Sequence, residues 1–174
     1  MSKYNYATKG MLAEHTAKAV GRSLPISTKM SVEICTFIRN KNIAKAKNLL
    51  QAVIDKKTAV PFKRYNHDVG HKKGNIAAGR YPKKACEGIL KLLEAVEANA
   101  QFKGLNTANL VIKNILANIA SRPWHYGRQS RRKMKRTNIE VVVEEKAIKE
   151  KEEKKTEKPK KEKKTESRPE ENKK

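Results

Sequence analysis

Residues 106–120, NTANLVIKNILANIA, decide the fold, because they can be read as a helix or as a strand. Ala108, Val111, Ile112, Ile115, Leu116 and Ile119 recur at helical spacing, and strict apolar–polar alternation fits them less well. The Val and Ile content and the asparagines argue the other way. Branched side chains lose rotamer freedom in a helix, and Asn competes for its backbone. Residues 138–145, NIEVVVEE, are clearer strand material, with Ile139, Val141 and Val143 on one face. Periodicity alone leaves the first run open.

Between these runs lies SRPWHYGRQSRRKMKR, residues 121–136, a segment that cannot bury itself. Arg122, Arg128, Arg131, Arg132, Lys133, Lys135 and Arg136 share it with no carboxylate, which makes a ribbon suited to phosphates. Most of these cations are Arg, whose planar fork can bind bidentately or stack on bases. The chain's only Trp, Trp124, stands beside His125 and Tyr126. Such rings stack on unpaired bases for about 1–3 kcal/mol each. The competing reading is a solvated basic loop.

Upstream, helical periods are plain. Ser27 reads as an N-cap for a helix whose stripe is Met30, Ile34, Phe37 and Ile38, with Lys29, Glu33 and Arg39 off the stripe. A second helix runs from Ile43 to Lys56 through Ala46, Leu49, Leu50, Val53 and Ile54. Pro82 opens a third, with Ala85, Ile89, Leu92, Leu93, Val96 and Ala100 inward and Gly104 as its stop. Lys29, Arg39, Lys41, Lys45 and Lys47 read singly as solvated helix surface.

Between the second and third helices, residues 60–82 are rich in Gly, cations and aromatics and poor in any period. A loop this long is usually functional or ordered by a partner. Lys63, Arg64, His67, His71, Lys72, Lys73, Arg80, Lys83 and Lys84 surround Tyr65 and Tyr81. Gly70, Gly74 and Gly79 would let backbone run close to a phosphate chain. His67 and His71 have HxxxH spacing, but no Cys is near, no Glu follows the first His, and the segment is not helical, so no metal is expected.

The bulk numbers agree with a polyanion partner. The chain has 174 residues, suiting one domain plus appendages, and carries 41 Lys and Arg against 18 acids, a net +23. From Glu144 onward the composition collapses to Glu and Lys, with 13 basic and 10 acidic residues. Residues 1–143 therefore keep 41 less 13, or 28 basic, and 18 less 10, or 8 acidic, residues. The positive charge belongs to the folded part, residues 1–146. Residues 147–174 read as a disordered tail. No apolar run reaches membrane length, no lipidation motif is present, and MSKYNYATKG lacks a signal-peptide core, so a cytoplasmic location is expected. Cys35 and Cys86 fall on apolar faces and read as reduced, buried thiols.

At this point the motifs become familiar. AGRYPKKACEGILKLLEAVEANA, then a β-rich run, a basic arm and NIEVVVEEK, resembles the universal large-subunit ribosomal protein family numbered twenty-two in bacteria and seventeen in the eukaryotic cytosol. LPISTKMSVEICTFIRNKNIAKAKNLL looks like that family's first two helices, and VGHKKGNIAAGRYP like the insert of its archaeal and eukaryotic branch. The resemblance covers residues 5–146. It implies an α+β fold, three helices on a small antiparallel sheet, with a long protruding β-hairpin over about 110–145 whose legs are 110–120 and 137–145.

By the same resemblance the arm, 121–136, inserts into ribosomal RNA and its tip reaches the wall of the polypeptide exit tunnel. The implied role is structural: a constituent of the large subunit that binds its rRNA and supports assembly. Implied partners are that rRNA, neighbouring large-subunit proteins and the nascent polypeptide, with no membrane, homo-oligomer or cofactor. Gly127 and Arg128 sit where the family places a Gly-Arg pair near the tip. Trp124-His125-Tyr126 departs from the usual basic-proline tip, and Trp124, His125, Tyr126 and Arg128 are the tunnel-facing candidates.

Catalysis has little support, and no enzyme is expected. The acids of the folded part are scattered and mostly on helix surfaces, with no carboxylate pair, Ser-His-Asp order or P-loop. The rivals are a free-standing nucleic-acid binder or RNA chaperone and, far behind, a metal-dependent nuclease at His67 and His71.

Overall fold

The run that opened the question is a strand. In the computed structural model, which describes residues 5–8 and 15–146, β1 (Thr16–Leu24), β4 (Leu110–Ile119) and β5 (Thr137–Glu145) form an antiparallel sheet in the order β1-β5-β4. Ile112 pairs with Val143, Ile115 with Val141 and Ala117 with Ile139, but the register slips between Ile112 and Asn114. That bulge inserts one residue, Lys113, and inward positions run 110, 112, 115. A strand with one bulge shows a spacing that resembles a helix, which is why alternation fitted poorly.

Three helices cover one face. They are α1 (Thr28–Ile38), α2 (Ile43–Ile54) and α3 (Lys83–Phe102). Their stripes meet Ile139, Val141 and Val143 in a single core, with Ile34, Ile38, Ile89 and Leu93 fully buried. α1 packs on β4, α3 on β1 and β5, and α2 on α3. The second helix ends at Ile54, short of Lys56. Pro82 takes the N-cap position of α3 rather than its first turn. Ser27 caps α1 by position, without a side-chain bond to the helix. Gly104 ends α3 with φ +75, and the Gly104 and Leu105 N–H groups return to the carbonyls of Gln101 and Ala100 at 2.9 and 3.0 Å. That is the paired bonding of a Schellman stop, which requires a left-handed residue.

β1 leaves no sign of itself in the residue pattern. Its inward residues are Ala17 and Ala19, small enough for α3 to approach closely and too small to mark a strand by bulk. Nor does that pattern mark the cover on the other face. There Ala7 N–H donates to Glu140 Oε2 at 2.9 Å, Asn114 Nδ2 donates to Thr8 Oγ1 at 2.6 Å, and Lys18 lies 5.7 Å from the Tyr6 ring. Burial, and then the Glu140 carboxylate, push the Tyr6 hydroxyl above its usual range.

Glu33, read as lying off the apolar stripe of its helix, is buried, and so is Glu140 on β5. Both thiols are buried as expected. Burial pushes Cys35 up to about 12 despite nearby Arg39, and burial with Glu87 does the same to Cys86. They are protonated core side chains, not nucleophiles. Residues 147–174, read as a disordered tail, lie outside the described residues. No helix among the described residues is long and apolar enough to cross a membrane.

Candidate nucleic-acid interface

The hairpin continues past its sheet as a sparse ladder. Ala120 N–H donates to the Arg136 carbonyl at 3.2 Å, Met134 N–H to Pro123 at 2.8 Å and His125 N–H to Arg132 at 2.8 Å. A 3-10 turn at Gly127–Gln129 closes the end, where Gly127 takes φ +70 and Ser130 N–H returns to its carbonyl. Gly127 thus sits at the bend, and Arg128 is exposed beside it.

The arm's cations divide by partner. Arg136 Nη1 donates to the Ser23 carbonyl at 3.1 Å and Arg122 Nε to the Met134 carbonyl at 3.0 Å, so these two brace the arm's base. Lys133 Nζ lies 4.6 Å from the centre of the Trp124 ring, across the hairpin. Such a contact is worth about 0.5–1 kcal/mol at an exposed site. Arg128, Arg131, Arg132 and Lys135 are exposed, and no described residue pairs with their side chains. Trp124 is 57% and Tyr126 86% exposed, while His125 is half-buried. Large rings left in water on a cationic arm are suited to stacking.

The loop between α2 and α3 has more internal structure than its composition indicated. It contains the short pair β2 (Val60–Pro61) and β3 (Gly79–Arg80), and Phe62 N–H donates to the Ala78 carbonyl at 3.0 Å. Gly74, with φ +109, makes a turn that only glycine adopts easily. Gly79 serves protein packing instead, since a Cβ there would meet Lys72 Cγ at 3.0 Å and Ile76 Cδ1 at 3.1 Å. Lys63, Arg64, His67, His71, Lys72, Lys73 and Arg80 are all exposed. Lys72 lies 5.7 Å from the Tyr81 ring and Arg64 5.6 Å from the Tyr65 ring. His71 bridges to Ala78, and among the described residues no group of acids, His and Cys could hold a metal ion.

Grooves join these segments. One of about 320 Å³ places Lys135 of the arm with Lys83, Lys84, Ser27 and Met30 where α1 and α3 begin, and neither first turn carries an acid. Another, between α1 and β4, brings Arg39, Lys63 and Arg64 together. Sequence reasoning missed this pairing because its parts are far apart in the chain. Two other cations have partners: Lys47 of α2 pairs with Glu97 of α3, and Lys41, in the turn between α1 and α2, donates from Nζ to the Phe37 carbonyl. The ion pairs among the described residues are Lys47–Glu97, Lys57–Asp55 and Lys113–Glu144, and none uses a cation named in the arm or in the 63–80 cluster.

A helix-backed sheet whose β4–β5 hairpin extends as an acid-free arm defines a class: a basic α+β protein whose shape and charge fit a polyanion. Residues 19–144 match the family described as ribosomal protein L22p/L17e. The chain is 43% identical over 151 residues to the large ribosomal subunit protein uL22 of Archaeoglobus fulgidus, covering 83% of this chain and 97% of that one. It is 44% identical to its counterpart in Methanosphaera stadtmanae over 153 residues, 83% and 99% of the two chains. The Thermoplasma acidophilum protein is 44% identical over 134 residues, 74% and 88% of the two. The chain belongs to the L22p/L17e family of ribosomal proteins and is of its archaeal type, a structural protein rather than an enzyme.

Proposed function

We propose that this protein is a structural constituent of the large ribosomal subunit in the cytoplasm, that it binds the subunit's rRNA and supports its assembly, and that its hairpin extends to the wall of the polypeptide exit tunnel. The working unit is residues 1–146, with the hairpin over about 110–145 and the arm over 121–136. The observation that carries this reading is the arm: seven cations, no carboxylate, and four of those cations without a partner among the described residues. Such a segment repels itself in water and is relieved when phosphates replace its counterions.

Lys63, Arg64, His67, His71, Lys72, Lys73 and Arg80 form a second contact surface on the body. Arg122, Trp124, Tyr126, Arg128, Arg131, Arg132, Lys133, Lys135 and Arg136 form the first, with Arg122 and Arg136 also bracing it. Trp124, His125, Tyr126 and Arg128 are the tip candidates facing the tunnel and the nascent chain. Affinity comes mainly from phosphates and RNA shape, with little base readout. Neighbouring large-subunit proteins are the remaining partners, and no homo-oligomer is needed.

The test is co-sedimentation with large subunits through a high-salt gradient, beside a variant in which residues 123–134 are replaced by Asn-Gly, a two-residue hairpin turn. Retention of the intact protein with loss of the variant supports arm insertion. Equal washing-off of both contradicts it and leaves a general polyanion binder.

A further inference from the structure

Glu33 is a carboxylate only 2% exposed on the face of a cationic protein. A buried charge is expensive unless fully bonded. Here Glu33 Oε1 accepts the backbone N–H groups of Arg64 and Tyr65, each at 2.8 Å, and Oε2 accepts that of Lys63 at 3.2 Å. Three consecutive loop amides are thus clamped to one turn of α1. The clamp fixes where the Lys63 and Arg64 side chains leave the backbone. They line a groove of about 370 Å³ with Thr36, Arg39 and Asn118, at the root of the arm.

Arg39 is also held in place. Its Nη2 donates to the Ile115 carbonyl at 3.1 Å, leaving further N–H donors for a ligand. Arg64 lies 5.6 Å from the Tyr65 ring. No ion pair among the described residues involves Arg39, Lys63 or Arg64. An extended peptide is the poorer occupant, because this edge of β4 is already taken at Ile112 and at the Ile115 carbonyl. Ile112 exchanges bonds with Asn40 and Lys41, each at 2.9 Å, and Arg39 takes Ile115.

We infer that Arg39, Lys63 and Arg64 form a cradle for backbone phosphates of an RNA strand passing the root of the arm, and that Glu33 is its positioning residue. This rests on the RNA-binding reading above. Its consequence runs against simple electrostatics. Removing an acid from an RNA-binding face should tighten binding, whereas releasing this clamp should weaken it.

The full chain is titrated with in-vitro-transcribed archaeal large-subunit rRNA over a salt series, following affinity, salt slope and melting temperature. Glu33→Gln, which keeps the shape but turns one acceptor into a donor, weakens binding about three- to tenfold. Glu94→Gln, an exposed acid on α3, does not weaken it. Arg39→Gln and the pair Lys63→Gln/Arg64→Gln weaken binding and flatten the slope of log affinity against log salt by about 0.7–0.9 per lost phosphate. Adding Glu33→Gln to the Lys63/Arg64 pair costs little more, because it acts through them.

Binding by Glu33→Gln as tight as wild type overturns the positioning role. Unchanged affinity and slope in the Arg39 and Lys63/Arg64 variants overturn the cradle, while wild-type binding leaves the RNA reading standing. If Glu33→Gln fails to fold, those variants, which touch none of its bonds, decide. Failure of the wild type to bind the RNA overturns both readings.

Discussion

The β4–β5 hairpin is one chain reversal with two halves that obey different rules. In the half beside the helices, Ile112, Ile115, Ile139, Val141 and Val143 are buried, and nine pairs of residues hold the register. In the far half, the ladder thins to a few bonds, rings stand in water, and cations face no acid. Backbone pairing is common to both, so pairing alone does not distinguish a core strand from an arm. What differs is where the side chains go: into protein in one half, into solvent in the other.

The comparison can be broken by substitution. Ile115→Ala in the inner half should cost about 2–5 kcal/mol of stability, measured by urea unfolding, because it opens a cavity in a closed core. The same protein should keep its arm chemistry, so its loss of subunit binding should follow its loss of fold. Trp124→Ala in the far half should do the reverse. RNA affinity should fall by about 1–3 kcal/mol, and stability should move by no more than the cation–π contact with Lys133, about 0.5–1 kcal/mol. A large stability loss from Trp124→Ala would mean the arm has a core of its own.

Smaller effects sharpen the same contrast. Gly104→Ala should cost about 1–2 kcal/mol, since φ +75 at the end of α3 disfavours a Cβ. The buried thiols give the core a pH signature. Their folded values, raised from 9.0 to about 12, mean that the folded state keeps the proton longer. That contribution is complete below about pH 9 and is lost as pH rises toward 12. Cys35→Ala with Cys86→Ala should flatten the alkaline fall in melting temperature at the expense of stability at pH 7. Breaking Lys113–Glu144, a 3.1 Å surface pair on the hairpin, should change stability by about 0–1 kcal/mol.

Much of this was legible in the chain. The apolar stripes marked α1, α2 and α3, and Ile139, Val141 and Val143 marked the inner face of β5, because bulky residues at fixed spacing report burial directly. β4 was ambiguous, since the bulge at Lys113 mixes two periods, and the family resemblance resolved it. β1 was silent because Ala17 and Ala19 carry no bulk. The exposed cations of the arm and loop were visible as an excess of charge. Glu33 was not, because its partners are backbone N–H groups about thirty residues away, and backbone groups leave no mark in a sequence.

The central claim, that the far half of the hairpin is enclosed by RNA, can be measured by tethered cleavage. Cys35 and Cys86 are buried, so an iron chelate can be attached selectively at Ser130→Cys on the tip or at Lys91→Cys on the exposed side of α3. After assembly into large subunits, hydroxyl radicals are released and rRNA breaks are mapped. The account predicts dense cutting from position 130, clustered in one region of the RNA, and sparse cutting from position 91. Equal or absent cutting from both positions would contradict it.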